Sequence, residues 1–350
     1  MQQVRHLFSS LLEKAGPLLC DWLFLFSEFL LITVSFFFFM VTSVSVCLER
    51  CLGYTRTSLH SALARVIPRL GAFNLSPGAR VLLKPNLLSA GAPSLACTHA
   101  EFIAAVAAWF LDHGCRVSIG DSPAFGSALN VAERQGIAWA VRGMDVRVVE
   151  FVSVVTNRLL SGISVCIAAE ALDCDLLVNL PKIKAHDQMY VSMAVKNIFG
   201  IVTGVRKSWF HMRYGGSHLD FARIILELQG LLPENITLAD GIEVMHRHGP
   251  MHGDSLALGC LAGSRSSVAL DTAMLALLEL EAERSPLWCA ARERDLPGAQ
   301  LCGIEFPLLA PSDFSGSGFM APEILNPVRF RPWRYVFNSL RRVVLALHRG

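Results

Sequence analysis

From Val44 onward the chain alternates short β-branched runs with amphipathic stretches of helical period. "ARVLLKPN", "CRVSIGDSPAFG", "DVRVVEF" and "CDLLVNLPK" predict strands, the first ending near Lys84. "TSLHSALARVIPRLG" sets Leu59, Ala62, Leu63, Val66, Ile67 and Leu70 on one helical face. "THAEFIAAVAAWFLDHG" predicts a helix opened by a Thr98/Glu101 capping box and stopped at Gly114. Another helix ends near Gly136, and "FARIILELQG" predicts one stopped by Gly230. Tyr190 to Phe199 reads as a helix that buries Val191, Val195 and Ile198, carries Lys196 and Asn197 in its last turn and ends at Gly200. "NITLADGI" and "SSVALD" complete the strand pattern, the latter leading into the helix "TAMLALLELEAE". This alternation predicts an α/β fold: a mostly parallel sheet flanked by helices, with its site at the carboxyl edge of the strands.

Three regions follow: a hydrophobic segment over 1–40, an α/β domain over 41–332, and an amphipathic basic helix over 333–350. Phe29 to Leu48 is twenty residues without a formal charge, long enough to span a bilayer at about 1.5 Å per residue. If it spans, Arg50, Arg56, Arg65 and Arg69 outnumber Arg5 and Lys14, which keeps the following domain cytoplasmic and anchored to an inner membrane. Membrane association would then run through residues 22–48. The competing reading takes "VTSVSVCLE" as a first strand, leaves only Trp22 to Met40 outside the domain, and makes Met40 the initiator.

Composition narrows the partners. A net charge of +2 in 350 residues leaves no basic excess for nucleic acid. Ten cysteines without a C-x-x-C pair point to reduced thiols in a cytoplasmic compartment and to no iron-sulfur ligand set. Of 31 basic residues only six are lysines, and Lys84, Lys182, Lys184, Lys196 and Lys207 fall in loop-like or element-end segments. There an ammonium able to lose its proton differs chemically from a guanidinium.

The residues just after the strand runs are all polar: Lys84 and Asn86; Asp121 and Ser122; Lys182, Lys184 and His186; and Asp240. Extended alternation projects Lys182, Lys184 and His186 to one side, with Ile183 and Ala185 on the other. Together with Lys196 and Asn197 they predict a pocket for a phosphate or carboxylate. Lysines crowded by other cations lose protons more readily, so Lys184 is a candidate base or nucleophile. The alternative is that Lys184 merely pairs with Asp121 or Asp240. His246, His248 and His252 lie within seven residues, but no carboxylate or thiolate completes a metal-ligand spacing, so they read as exposed or anion-binding loop histidines and no metal site is assigned. G-x-G-x-x-G and Walker patterns are absent.

"VLLKPNLL", "GDSPAFG", "DLLVNLPKIKAHDQMYVSMAVKNIFG", "ADGIEVMHRHGP" and "SVALD" resemble, in that order, the domain-of-unknown-function family 362, over roughly Val44 to Pro332. The resemblance implies a start near a strand like Val44 to Cys47. Many relatives carry a ferredoxin-like iron-sulfur module whose cysteine clusters this chain lacks, and where the family shows small residues before Gly-Pro this chain has "HRH". A more distant similarity to nickel-pincer lactate racemases would join a sheet-edge lysine and histidines around a cofactor; the cofactor itself is not identified by the sequence.

Two functions from different classes follow. In the first, an enzyme acts on a small anionic metabolite or cofactor: Lys84, Lys182 and Lys184 bind or activate it, His186 transfers protons, and Asp121 and Asp240 orient the lysines or hold a divalent ion. In the second, the chain is a non-catalytic accessory protein serving a redox or cofactor-assembly partner.

Overall fold

A computed structural model describes residues 44–329 apart from Ala72, Asn74 and Val205. Its strands, in chain order, are β1 (Val44–Arg50), β2 (Arg80–Pro85), β3 (Arg116–Asp121), β4 (Val146–Glu150), β5 (Val154–Arg158) and β6 (Ser164–Ala168). They continue with β7 (Leu176–Leu180), β8 (Lys182–His186), β9 (Tyr190–Ser192), β10 (Asn235–His246), β11 (Asp254–Ser264) and β12 (Ile304–Glu305). The helices are α1 (Arg56–Val66), α2 (Ala100–Asp112), α3 (Ala128–Arg134), α4 (Ile137–Ala140), α5 (Ala194–Ile198), α6 (Arg206–Tyr214), α7 (His218–Glu227), α8 (Ser267–Leu277) and α9 (Pro286–Glu293).

The main sheet runs β12-β1-β11-β10-β7-β2-β3-β4 and is parallel from β10 to β4, with β11 antiparallel to both β10 and β1. Both faces of its parallel part are covered. Val81 and Leu83 of β2 pack with Phe102 and Phe110 of α2, whereas Leu82 between them packs with Ile198 and Phe221 on the other side. Burying each such side chain contributes about 1.5–3 kcal/mol, which is why these strands read as continuous apolar runs.

The parallel register brings the carboxyl ends of β2 and β3 to one edge: Lys84 sits opposite Asn179 of β7, and Asp121 closes β3. Pro181 follows β7 and has no N–H to continue its ladder. The chain resumes as β8, pairs with β10 at Lys182 and Asp240, and folds back on itself as β9. This places Lys182, Lys184 and His186 beyond the strand ends of the parallel core. Ile183 and Ala185 pack on the opposite side with Val191 and Ala239, so the predicted alternation holds.

Several expectations are corrected. Val44 to Leu48 pairs in β1, with Val46, Cys47 and Leu48 fully buried, so the twenty-residue uncharged run is not one span; its first fifteen residues lie outside the described ones. Among the described residues no helix is long and apolar enough to cross a membrane. The 1–40 segment and the 333–350 helix also lie outside the described residues.

Thr98 does not cap α2. Its hydroxyl donates to the Leu180 carbonyl at 2.6 Å and accepts from the Asn86 N–H, while the His99 ring accepts from the Glu101 N–H. Tyr190 to Phe199 is not one helix. Tyr190, at φ 70°, begins β9, and only Ala194 to Ile198 is helical, because the β8–β9 turn takes the earlier residues into the sheet. "SSVALD" is not a strand but the start of α8, with the Ser266 hydroxyl accepting from the Ala269 N–H. The strand expected there is β11, before it. Helix α7 ends at Glu227, three residues before Gly230, in a 3-10 turn over Leu228–Leu231.

Candidate functional site

Five of the six lysines converge near the carboxyl edge, and two of them are neutralised in ion pairs. Lys84, fully buried, lies 2.8 Å from Asp121 Oδ1, and Asp121 Oδ2 accepts from the Leu87 N–H at 2.8 Å. Gly200 packs against this pair so tightly that an added Cβ would overlap both the Lys84 ammonium and the Asp121 carboxylate. Lys182 lies 2.8 Å from Asp240 Oδ2 and donates to the Tyr54 hydroxyl at 2.7 Å. That hydroxyl donates to Asp240 Oδ1, and its ring stacks on His99 at 3.6 Å. Burial, with Asp240 beside it, raises the Tyr54 phenol well above its ordinary range.

Lys184 is buried and, among the described residues, pairs with no carboxylate. It donates to Asn86 Oδ1 at 2.8 Å and to the Ala96 carbonyl. Burial first, with Lys196 and Lys182 adding to it, lowers its pKa to about 7. Asn86 then donates to Asn197 Oδ1 at 2.9 Å, and Asn197 donates to Asn179 Oδ1 at 2.8 Å, a chain of amides linking the end of β2, α5 and β7. Asp271 of α8 accepts the N–H groups of Ala194 and Val195 and so fixes the first turn of α5, which carries Lys196 and Asn197. Burial pushes the Asp271 carboxyl up to about 7.

A cavity of about 300 Å³ opens above this chain. Of the residues expected at the site, Asn86, Asp121, Ser122, His186, Lys196 and Asn197 line it. Lys84, Lys182, Lys184 and Asp240 do not: Lys84 lies behind Asp121, Lys184 behind Asn86, and the Lys182–Asp240 pair beside Tyr54. Two titratable residues outside the sequence-derived set also line it: Lys207 and His211, one turn apart on α6. Their i, i+4 spacing in "KSWFH" was the available signal.

The cavity's cations are held in unusual states. Lys196 is half-buried, lies 5.4 Å from the Phe199 ring centroid, and among the described residues forms no ion pair; burial and then Lys84 lower its pKa to about 8. Lys207 donates to the Ser122 carbonyl, and burial lowers its pKa to about 7 despite Asp121. Burial, with Lys196 and Lys184 nearby, keeps His186 far below the usual imidazole range, and the same cause brings His211 to about 4. His186 Nδ1 accepts from the Gln188 N–H at 3.2 Å. Two neutral imidazoles and two lysines poised near neutrality therefore face one space, a set able to bind an anion and to pass a proton to or from it.

Among the described residues no group of three His, Cys, Asp or Glu comes together to hold a metal. His246 is buried near Phe319, His248 lies 3.5 Å from Asp187, and His252 is exposed. The nine described cysteines are all unpaired.

The sequence profile of a domain of unknown function, DUF362, matches residues 81–276. The thylakoid-associated protein sll1697 of Synechocystis sp. is 37% identical over 301 residues, covering 83% of this chain and 91% of the relative. The lactate racemase apoprotein from Thermoanaerobacterium thermosaccharolyticum matches at 15% identity and a TM-score of 0.40, over 63% of this chain and 54% of that one. The chain thus spans about half of that racemase, and at this similarity the likeness bears on neither its fold nor its chemistry. The chain belongs to the DUF362 family.

Proposed function

We propose that this DUF362 protein binds a small phosphate- or carboxylate-bearing metabolite or cofactor in the cavity, and acts on it as an enzyme by proton transfer. Lys196 and Lys207 would carry the anion's charge, Asn86 and Asn197 would fix its orientation, and neutral His186 would accept or return the proton. The supporting observation is the convergence of Lys196, Lys207, His186 and His211 on one cavity where, among the described residues, the one lining carboxylate, Asp121, is already engaged by Lys84. Lys84, Lys182 and Lys184 act in this reading as supports: each is tied to Asp121, Asp240 or Asn86 and holds the wall in place.

The accessory-protein reading draws on one observation. The hydrogen bonds of Lys182 and Lys184 are spent inside the protein, which removes two of the expected catalytic groups from contact with a ligand. Such a protein would hold the anion for a redox or cofactor-assembly partner. The thylakoid association in the relative's name supports a working place at a membrane.

Native mass spectrometry of protein purified without air, followed by incubation of any co-purifying anion with fresh protein, tests the proposal. A bound anion that is chemically converted, and is not converted by His186→Asn, supports the enzyme. A bound anion recovered unchanged supports the accessory protein, and the absence of any anion at saturating metabolite extract refutes both.

A further inference from the structure

The two histidines that line the cavity each spend Nδ1 on a backbone group, and the two groups are of opposite kind. His186 Nδ1 lies 3.2 Å from the backbone nitrogen of Gln188, an N–H that can only donate, so this ring nitrogen carries no proton. His211 Nδ1 lies 3.2 Å from the Val328 carbonyl oxygen, which can only accept, so here the ring nitrogen donates. Neither Nε2 has a hydrogen-bond partner among the described residues. Both rings are neutral, so their single protons fall on opposite atoms: His186 carries its proton on Nε2, and His211 keeps a bare lone pair there.

The backbone that sets the His211 tautomer is held at several points. The Asn326 N–H donates to the Asp187 carbonyl, Gln188 Nε2 donates to the Pro327 carbonyl at 2.9 Å, and His218 Nε2 donates to the Asn326 carbonyl at 2.9 Å. Gly215, one turn beyond His211, approaches the Arg329 backbone so closely that an added Cβ would lie 2.9 Å from its nitrogen.

Resting on the proton-transfer reading above, we infer that the two histidines are an acid–base pair of fixed polarity: His211 Nε2 takes a proton from the bound anion, and His186 Nε2–H gives one to an oxygen of it. Of the two roles open to His186, accepting or returning a proton, this leaves the second. The ligand such a pair suits is an anion that also carries a carbonyl group beside a C–H bond, an oxo acid or a carbonyl phosphate. His211 removes the C–H proton, the electron pair of that bond forms a carbon–carbon double bond, and the carbonyl π pair moves onto oxygen, where the His186 Nε2 proton is shared. Reversal returns both protons, so no oxidant, reductant or water is consumed. Burial, then Lys196 and Lys207, hold His211 at about 4; an anion seated on those lysines offsets their effect and strengthens the base once substrate is bound.

Two measurements on the full chain test this. Long-range proton–nitrogen correlation spectra of protein with isotope-labelled histidine, at about pH 7, show which ring nitrogen holds the proton, with His186→Asn and His211→Asn assigning the signals. His186 should hold it on Nε2 and His211 on Nδ1; the same tautomer in both rings, or a cation at either, overturns the inference whatever binds. Pyruvate and dihydroxyacetone phosphate are then incubated with protein in heavy water, and loss of their C–H signals is followed. Wild type should exchange at least one of them, and His211→Asn should exchange it at least about a hundredfold more slowly. Inorganic phosphate should still bind that variant within about threefold of wild type, because both lysines remain. If phosphate binds wild type and neither probe exchanges, or if His211→Asn exchanges as fast as wild type, the paired roles are wrong and the anion site stands. If neither phosphate nor either probe binds, the anion reading fails and this inference fails with it.

Discussion

The Lys84 ammonium and the Asp121 carboxylate lie 2.8 Å apart beneath the backbone of Gly200, both shielded from solvent. Burial lowers the Lys84 pKa while Asp121 opposes that shift, so each charge depends on the other. Lys84→Met should cost about 3–5 kcal/mol by stranding the carboxylate, and the double variant Lys84→Met with Asp121→Leu should recover much of it. Urea denaturation of the four-member cycle measures this; a loss in the double variant equal to the sum of the two single-variant losses would show that the pair is not coupled.

The Lys182–Asp240–Tyr54 group is a second buried network, away from the cavity. Tyr54→Phe removes the hydroxyl that donates to Asp240 and accepts from Lys182, and should cost about 1–3 kcal/mol in stability. Anion affinity should change less than about threefold, because no cavity-lining group loses a partner. A large loss of affinity at unchanged stability would place this network in the binding site.

How much of this could be read from the chain depends on the element. The Lys182, Lys184, His186 alternation was legible because an extended strand has period two, and the apolar partners Ile183 and Ala185 mark its other side. The edge itself was legible in Lys84 and Asp121, the polar ends of apolar runs. What each lysine touches was not. Lys184 ends on Asn86 and Ala96, partners roughly ninety residues upstream that no local pattern specifies. That Lys207 and His211 face the cavity was not legible, because they sit on a helix rather than at a strand end. The Thr98/Glu101 spacing matched a capping box, yet tertiary bonding to Leu180 took the hydroxyl and left capping to His99.

Lys184→Met should act on the ligand through Asn86. Losing the ammonium frees Asn86 Oδ1 and loosens the Asn86–Asn197 contact at the cavity floor. Anion affinity should fall by about tenfold, the worth of one misplaced hydrogen bond. Lys184→Gln, which keeps a donor for Asn86, should restore part of it; the absence of any loss in Lys184→Met would free Lys184 from a positioning role.

Anion binding should be linked to proton uptake. Burial holds Lys207 near 7 and Lys196 near 8 in the unliganded protein. A bound anion favours the charged ammonium and raises both values, so at about pH 8 binding takes protons from solvent, and at about pH 6 it takes few. Affinity should therefore decline as pH rises from about 6 to about 9. Calorimetry in buffers of different ionisation enthalpy counts the protons; no uptake at the higher pH would contradict the assigned states.

The most direct test of the central claim is calorimetric titration of inorganic phosphate and acetate into wild-type protein and into the Lys196→Met, Lys207→Met double variant, with folding checked by denaturation. The account predicts saturable binding of one anion per chain, weakened at least about a hundredfold in the double variant through loss of two charge-assisted hydrogen bonds. A folded double variant that binds either anion as tightly as the wild type would contradict it.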